Sequence, residues 1–110
     1  MEVQPDPDAL DRLVVEAPEY DARFEVWGAC PVQALGSVLG RELYFRARHD
    51  AWTFEVADHR GLLPSDGYGD SDGFCREGDY TNASWMPLRS AVTIIERCLR
   101  EYTSDCAKTI

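Results

Sequence analysis

The densest set of side chains capable of metal or acid–base chemistry lies in residues 66–79, where Asp66, Asp70, Asp72, Glu77 and Asp79 contribute carboxylates among glycines. Carboxylate oxygens are the ligands that calcium prefers, and in an EF-hand they sit at fixed positions around an invariant glycine. If Gly73 is set at the sixth loop position, Tyr68 falls where the first Asp belongs and Asp79 falls where a bidentate Glu belongs. The spacing therefore predicts a solvated acidic loop holding no metal and no cofactor. A divalent-cation module or small enzyme built on the same carboxylates is the competing reading.

The remaining reactive side chains are dispersed. His49 and Asp50 are adjacent and His59 lies between Asp58 and Arg60, but neighbours in a tight turn point apart and no nucleophile stands beside them. Cys30, Cys75, Cys98 and Cys106 form neither a C-x-x-C pair nor a zinc-finger spacing with the two histidines. Free thiols are expected, with Cys98 as a small buried hydrophobe. P-loop, G-x-S-x-G, G-x-G-x-x-G and H-E-x-x-H patterns are all missing, and a chain that is not an enzyme is expected.

Charge says more than motif. The chain has 110 residues and a formal charge of −9. Residues 1–25 hold eight acids against Arg12 and Arg23, and residues 58–79 hold six against Arg60 and Arg76, whereas residues 26–57 are balanced. Acid confined to an N-terminal arm and one loop repels phosphates, which disfavours direct binding to nucleic acid or a membrane and favours a partner protein with a basic surface. The N-terminus, MEVQPDPDALDRL, is acidic where a secretory signal is basic and then apolar, so a cytoplasmic location is expected.

The elements that position these groups follow from hydrophobic periodicity. A hydrophobic fraction of 45% in a chain of this length supports one domain with one core. Residues 1–20 read as an acidic arm carrying a short helix, capped by Asp8, with Leu10, Leu13 and Val14 on one face and Pro18 as its stop. Residues 22–57 read as a β-meander of about four strands: ARFEVW, VQALGSVL, ELYFRAR and AWTFEVA. Turns at Leu39-Gly40-Arg41 and His49-Asp50 join the last three, and Gly36 weakens its strand or marks a bulge. Alternation puts Leu43, Phe45, Ala47, Trp52, Phe54 and Val56 on the core face. It leaves Tyr44, Arg46 and Arg48 on a polar face suited to cross-strand Arg–Glu pairs.

Residues 58–80 contain five glycines and no periodicity, and read as one long loop. Residues 87–103 then form an amphipathic helix, with Pro87 at its first position and Leu88, Ala91, Val92, Ile95, Cys98, Leu99 and Tyr102 along one stripe. The fold class expected is α+β, an antiparallel sheet packed under a C-terminal helix.

YFRAR at 44–48, Trp52, Phe54 and the Met86-Pro87 start of the helix resemble a loose group of short uncharacterised bacterial and phage proteins over residues 26–102. They share a hairpin, an acidic glycine-rich loop and a closing helix. The resemblance implies a fold and carries no catalytic residues. By composition the chain is also similar to phage-encoded inhibitors of the anti-CRISPR class, some of which imitate DNA. That similarity implies a non-enzymatic inhibitor occupying a basic, nucleic-acid-binding surface, such as that of a CRISPR-Cas or other nucleoprotein complex. Asp66, Tyr68, Asp70, Asp72, Glu77, Asp79 and Trp85 are the expected partner-binding residues, because Trp and Tyr anchor interfaces and acids steer association with a basic surface. A structural domain that dimerises through the free face of the sheet is the third reading.

Overall fold

In a computed structural model, which describes residues 1–66 and 73–108, the chain is an antiparallel meander with a single long helix across one face. The strands are β1 (Glu2–Asp6), β2 (Ala9–Ala17), β3 (Ala22–Trp27), β4 (Val32–Val38), β5 (Arg41–Arg48), β6 (Ala51–Val56) and β7 (Phe74–Asp79). They pair in sequence order, so β1 and β7 form the two edges of a seven-stranded sheet and β4 its centre. The helix, α1 (Leu88–Lys108), covers the face carrying Val15, Phe24, Val26, Leu43, Phe45, Phe54 and Val56. No helix among the described residues is long and apolar enough to cross a membrane.

The α+β class and the closing helix agree with the sequence, while the strand number exceeds the four expected. The N-terminal helix is replaced by the β1–β2 hairpin. Leu13, Val15 and Ala17 alternate toward the core, the adjacent β-branched Val14 and Val15 favour extended backbone, and β2 pairs along the whole of β3. A helix at this place would leave the β3 backbone groups on that side unpaired. Instead of capping a helix, Asp8 donates its N–H to the Asp6 carboxylate at 2.8 Å in the hairpin turn. Pro5 is tolerated because β1 is an edge.

The other departure is β7, which lies inside the segment read as one loop. Its pattern hides because only Phe74 is both apolar and inward; Arg76 and Gly78 occupy the other two inward positions. Phe74 packs edge-on against Phe54 and Tyr102 at centroid distances of 6.2 and 5.1 Å. Gly78 lies against the Trp52 ring, where a Cβ would come within 2.6 Å of Cζ2.

The central hairpins match the reading closely. Leu39 and Gly40 close β4 onto β5, both with positive φ, as a two-residue hairpin turn requires. Gly36 marks no bulge, since the β4 register is unbroken; it is there because a Cβ would lie 2.0 Å from the Arg23 carbonyl oxygen. Trp52 is buried and stacks on Phe45 at 6.1 Å. The helix stripe is buried as expected, although α1 runs beyond residue 103 because TSDCAK contains neither Gly nor Pro to stop it.

Candidate interaction surface

Among the described residues two regions present polar and aromatic side chains: the β7 edge with the turn that follows it, and the sheet face opposite α1, of which the 3-10 turn at Pro64–Asp66 covers the part over β6. Among the described residues, Glu2, Asp6, Asp8, Asp11 and Glu16 lie on the β1–β2 hairpin at one edge of the sheet, whereas Glu77 and Asp79 stand on β7 at the other.

On β7, Cys75, Glu77 and Asp79 are exposed and alternate with the inward Phe74, Arg76 and Gly78. Tyr80 donates its N–H to the Asp50 carbonyl at 3.0 Å, one step beyond the Ala51–Asp79 pair. Antiparallel alternation then turns the backbone groups of Cys75, Glu77 and Asp79 toward the free edge. Arg76 secures this strand to the helix: its guanidinium lies 4.1 Å from the Phe74 ring centroid, its Nε donates to Glu101 at 2.9 Å, and Nη2 is 3.5 Å from Asp105. Its Nη1 also donates to the Cys75 carbonyl at 2.9 Å, covering one outward backbone group. Partial burial, then Glu55 and Glu77, push the Cys75 thiol above its ordinary pKa, with Arg76 opposing.

After β7 the chain turns through Asn82, at φ 57°, into a 3-10 turn at Ala83–Trp85. This turn is clamped to the ends of two hairpins. Ala83 donates to the His49 carbonyl at 2.6 Å, His49 N–H donates to Ser84 Oγ at 2.8 Å, and Cys30 N–H donates to the Ser84 carbonyl at 2.8 Å. The Asp50 carboxylate accepts the Asn82 N–H at 3.0 Å, which makes the His49-Asp50 pair a structural turn. Beside the buried Ala83 and Ser84, the Trp85 side chain is 68% exposed at the end of the sheet where Asp79 stands.

Of the seven residues expected to bind a partner, Glu77 and Asp79 stand on the β7 edge, and Trp85 is on the turn that packs against the inner strands β4 and β5 at the end of the sheet where Asp79 lies. Asp66 closes a 3-10 turn at Pro64–Asp66, and its side chain, with Tyr68, Asp70 and Asp72, lies outside the described residues. Among the described residues no group of three or more His, Cys, Asp or Glu is placed to hold a metal ion, and all four cysteines are free.

The second region is the open face. Its side chains form rows across the strands: Trp27, Gln33 and Arg46; Glu25, Leu35 and Tyr44; Arg23, Ser37 and Glu42. Leu35 is 45% exposed. Tyr44 donates to Gln33 Oε1 at 2.9 Å, and Arg12 lies 5.2 Å from the Trp27 ring while bonding Glu25 at 3.2 Å. The Arg–Glu pairs expected between β5 and β6 are on β2 and β3 instead, as Arg12–Glu25 and Arg23–Glu16. Arg46 faces Thr53, and Glu55 is buried beneath Ser65, which donates to it at 2.8 Å. Leu35 and Gln33 were missed as surface residues, although alternation with the inward Val32, Ala34 and Val38 marks them.

The chain matches no protein-family model, no curated protein and no solved structure.

Proposed function

We propose that this chain is a small acidic binding protein that engages a basic partner through the β7 edge and Trp85. The observation that carries the reading is the pairing of a rigid mount with an exposed indole: Trp85 is 68% exposed on a turn fixed by hydrogen bonds to Cys30, His49 and Asp50. A large apolar side chain held outward in one place loses little entropy on being buried by a partner, and Trp is among the commonest interface anchors. Glu77 and Asp79 on β7 add negative charge in a chain of net −9, which steers basic surfaces toward that edge. The finer form of the proposal is an inhibitor, of the kind phages encode, that occupies a nucleic-acid-binding groove of a nucleoprotein complex.

The test is capture from bacterial lysate on immobilised protein, washed at about 50 mM and about 500 mM salt, with mass spectrometry of the retained chains. A salt-labile partner lost in both Trp85→Ala and the Glu77→Gln/Asp79→Asn double variant is expected. A partner held equally by the wild type and both variants refutes the surface.

A further inference from the structure

We infer that the open face of the sheet is a homodimer interface, with the two-fold axis running along β4. Three observations on that face support it.

The first is self-complementarity. A two-fold axis parallel to the central strand lays β4 of one copy on β4 of the other, β3 on β5 and β5 on β3, and keeps each row opposite itself. The outer rows then meet matching ones: Trp27 faces the other copy's Arg46, a cation against an indole, and Arg23 faces the other copy's Glu42, an ion pair, while between them Tyr44, whose hydroxyl donates to Gln33 of its own chain, lies opposite Glu25. Each contact occurs twice, and Leu35, exposed at the centre of the middle row, meets its own copy on the axis.

The second is the state of the charges. Arg46 and Glu42 are exposed, and neither makes an ion pair among the described residues. Among the described residues the ion pair of Arg23 is with Glu16 at 3.7 Å, with both side chains more than 60% exposed. These groups are available to a partner at little cost.

The third is area. Seven strands about 4.8 Å apart and about 20 Å long present a face of nearly 600 Å². The 3-10 turn over β6 takes part of it, leaving about 500 Å² per copy and about 1,000 Å² for two, the size at which specific interfaces begin. The stacking lays β7 of one copy opposite β1 of the other, so it uses the face on which the Glu77 and Asp79 side chains stand and leaves only the outward backbone groups of β7 outside it; substitutions at Leu35, Arg23 and Glu42 test it apart from the partner proposed above.

Sedimentation equilibrium of the full chain tests it, from about 1 μM to about 500 μM, the affinity range of small interfaces. The expected mass rises to twice 12.4 kDa. Leu35→Arg gives monomer, and Arg23→Glu or Glu42→Arg weakens association by about tenfold or more, because each reversal counts twice. The Arg23→Glu/Glu42→Arg double variant restores the dimer, a rescue that a folding defect cannot mimic. Arg89→Glu, exposed on α1, leaves it unchanged. A mass of 12.4 kDa throughout, a dimer that tolerates Leu35→Arg, or a double variant no better than the singles overturns the inference.

Discussion

Replacing Asp58 by Ala tests how the chain is carried from β6 to the β7 edge. The Asp58 side chain is 0% exposed. Its Oδ1 accepts the N–H groups of Arg60 at 2.8 Å and Leu62 at 3.0 Å, and its Oδ2 accepts Arg60 Nε at 3.0 Å and Nη2 at 2.8 Å. Its backbone closes the same turn, with Asp58 N–H donating to Leu62 and Gly61 N–H donating to the Asp58 carbonyl, Gly61 supplying the φ of 84°. Truncation to Ala strands two backbone donors, each worth about 1–3 kcal/mol if left unsatisfied. Arg60 is 43% exposed and returns to water, so its ion pair adds little. The expected loss is about 2–5 kcal/mol in urea unfolding with unchanged m-value, and about half that for Asp58→Asn, which keeps an acceptor at Oδ1. Amide exchange should also rise at residues 59–65, which uncovers Glu55. A loss below about 1 kcal/mol for Ala, or equal losses for Ala and Asn, refutes the view that the carboxylate organises this turn.

Other perturbations bear on the core. Gly36→Ala places a Cβ 2.0 Å from the Arg23 carbonyl oxygen and 2.5 Å from Phe24 Cα, both backbone, so the β3–β4 pairing must open; a loss of about 3 kcal/mol or more in urea unfolding is expected. Ile95 is fully buried in α1, and Ile95→Glu should leave a chain without cooperative thermal unfolding by circular dichroism. The Cys98 thiol is pushed up to about 12, by burial first and then by Glu101, against Arg97 and Arg76. The folded state thus favours the protonated thiol, and this contribution is complete below about pH 9 and is lost as pH rises toward about 12. The urea midpoint of wild type should fall more steeply over that range than that of Cys98→Ala; parallel slopes refute the assignment.

What the sequence made legible is where one face is apolar throughout. Leu43, Phe45, Trp52 and Phe54 alternate without interruption, and the α1 stripe from Leu88 to Tyr102 holds a 3.6-residue period, so both elements are readable from side chains alone. The β1–β2 hairpin was misread because Leu10, Leu13 and Val14 fit a helical face as well as Leu13, Val15 and Ala17 fit a strand. Only the open side of β3 decides between them. β7 was invisible because its inward positions are filled by Arg76 and Gly78, whose fitness depends on Phe74, Glu101 and Trp52, all supplied by other elements. Trp85, Glu77 and Asp79 could be named from residue type, but the turn that exposes Trp85 is set by the clamp on Ser84 and Asp50, and Glu77 and Asp79 are set by pairing with β6, both tertiary features.

The acids on β7 have a second physical role that must be separated from binding. A sheet edge with outward backbone groups invites pairing with another chain, and charge on the strand is one way proteins prevent it. At β7 the outward groups belong to Cys75, Glu77 and Asp79, with Arg76 covering one carbonyl; at β1 Pro5 and the acids of the N-terminal hairpin serve the other edge. Protection of this kind depends on the presence of charge and not on its sign, whereas attraction of a basic partner depends on the sign. The Glu77→Lys/Asp79→Lys double variant therefore discriminates. It should stay free of aggregates by light scattering on heating to just below its unfolding midpoint, while Glu77→Val/Asp79→Val scatters. If the edge also binds a basic surface, the lysine variant loses the salt-labile partner that wild type retains. Retention of that partner by the lysine variant would leave β7 with edge protection alone and place binding elsewhere on the molecule.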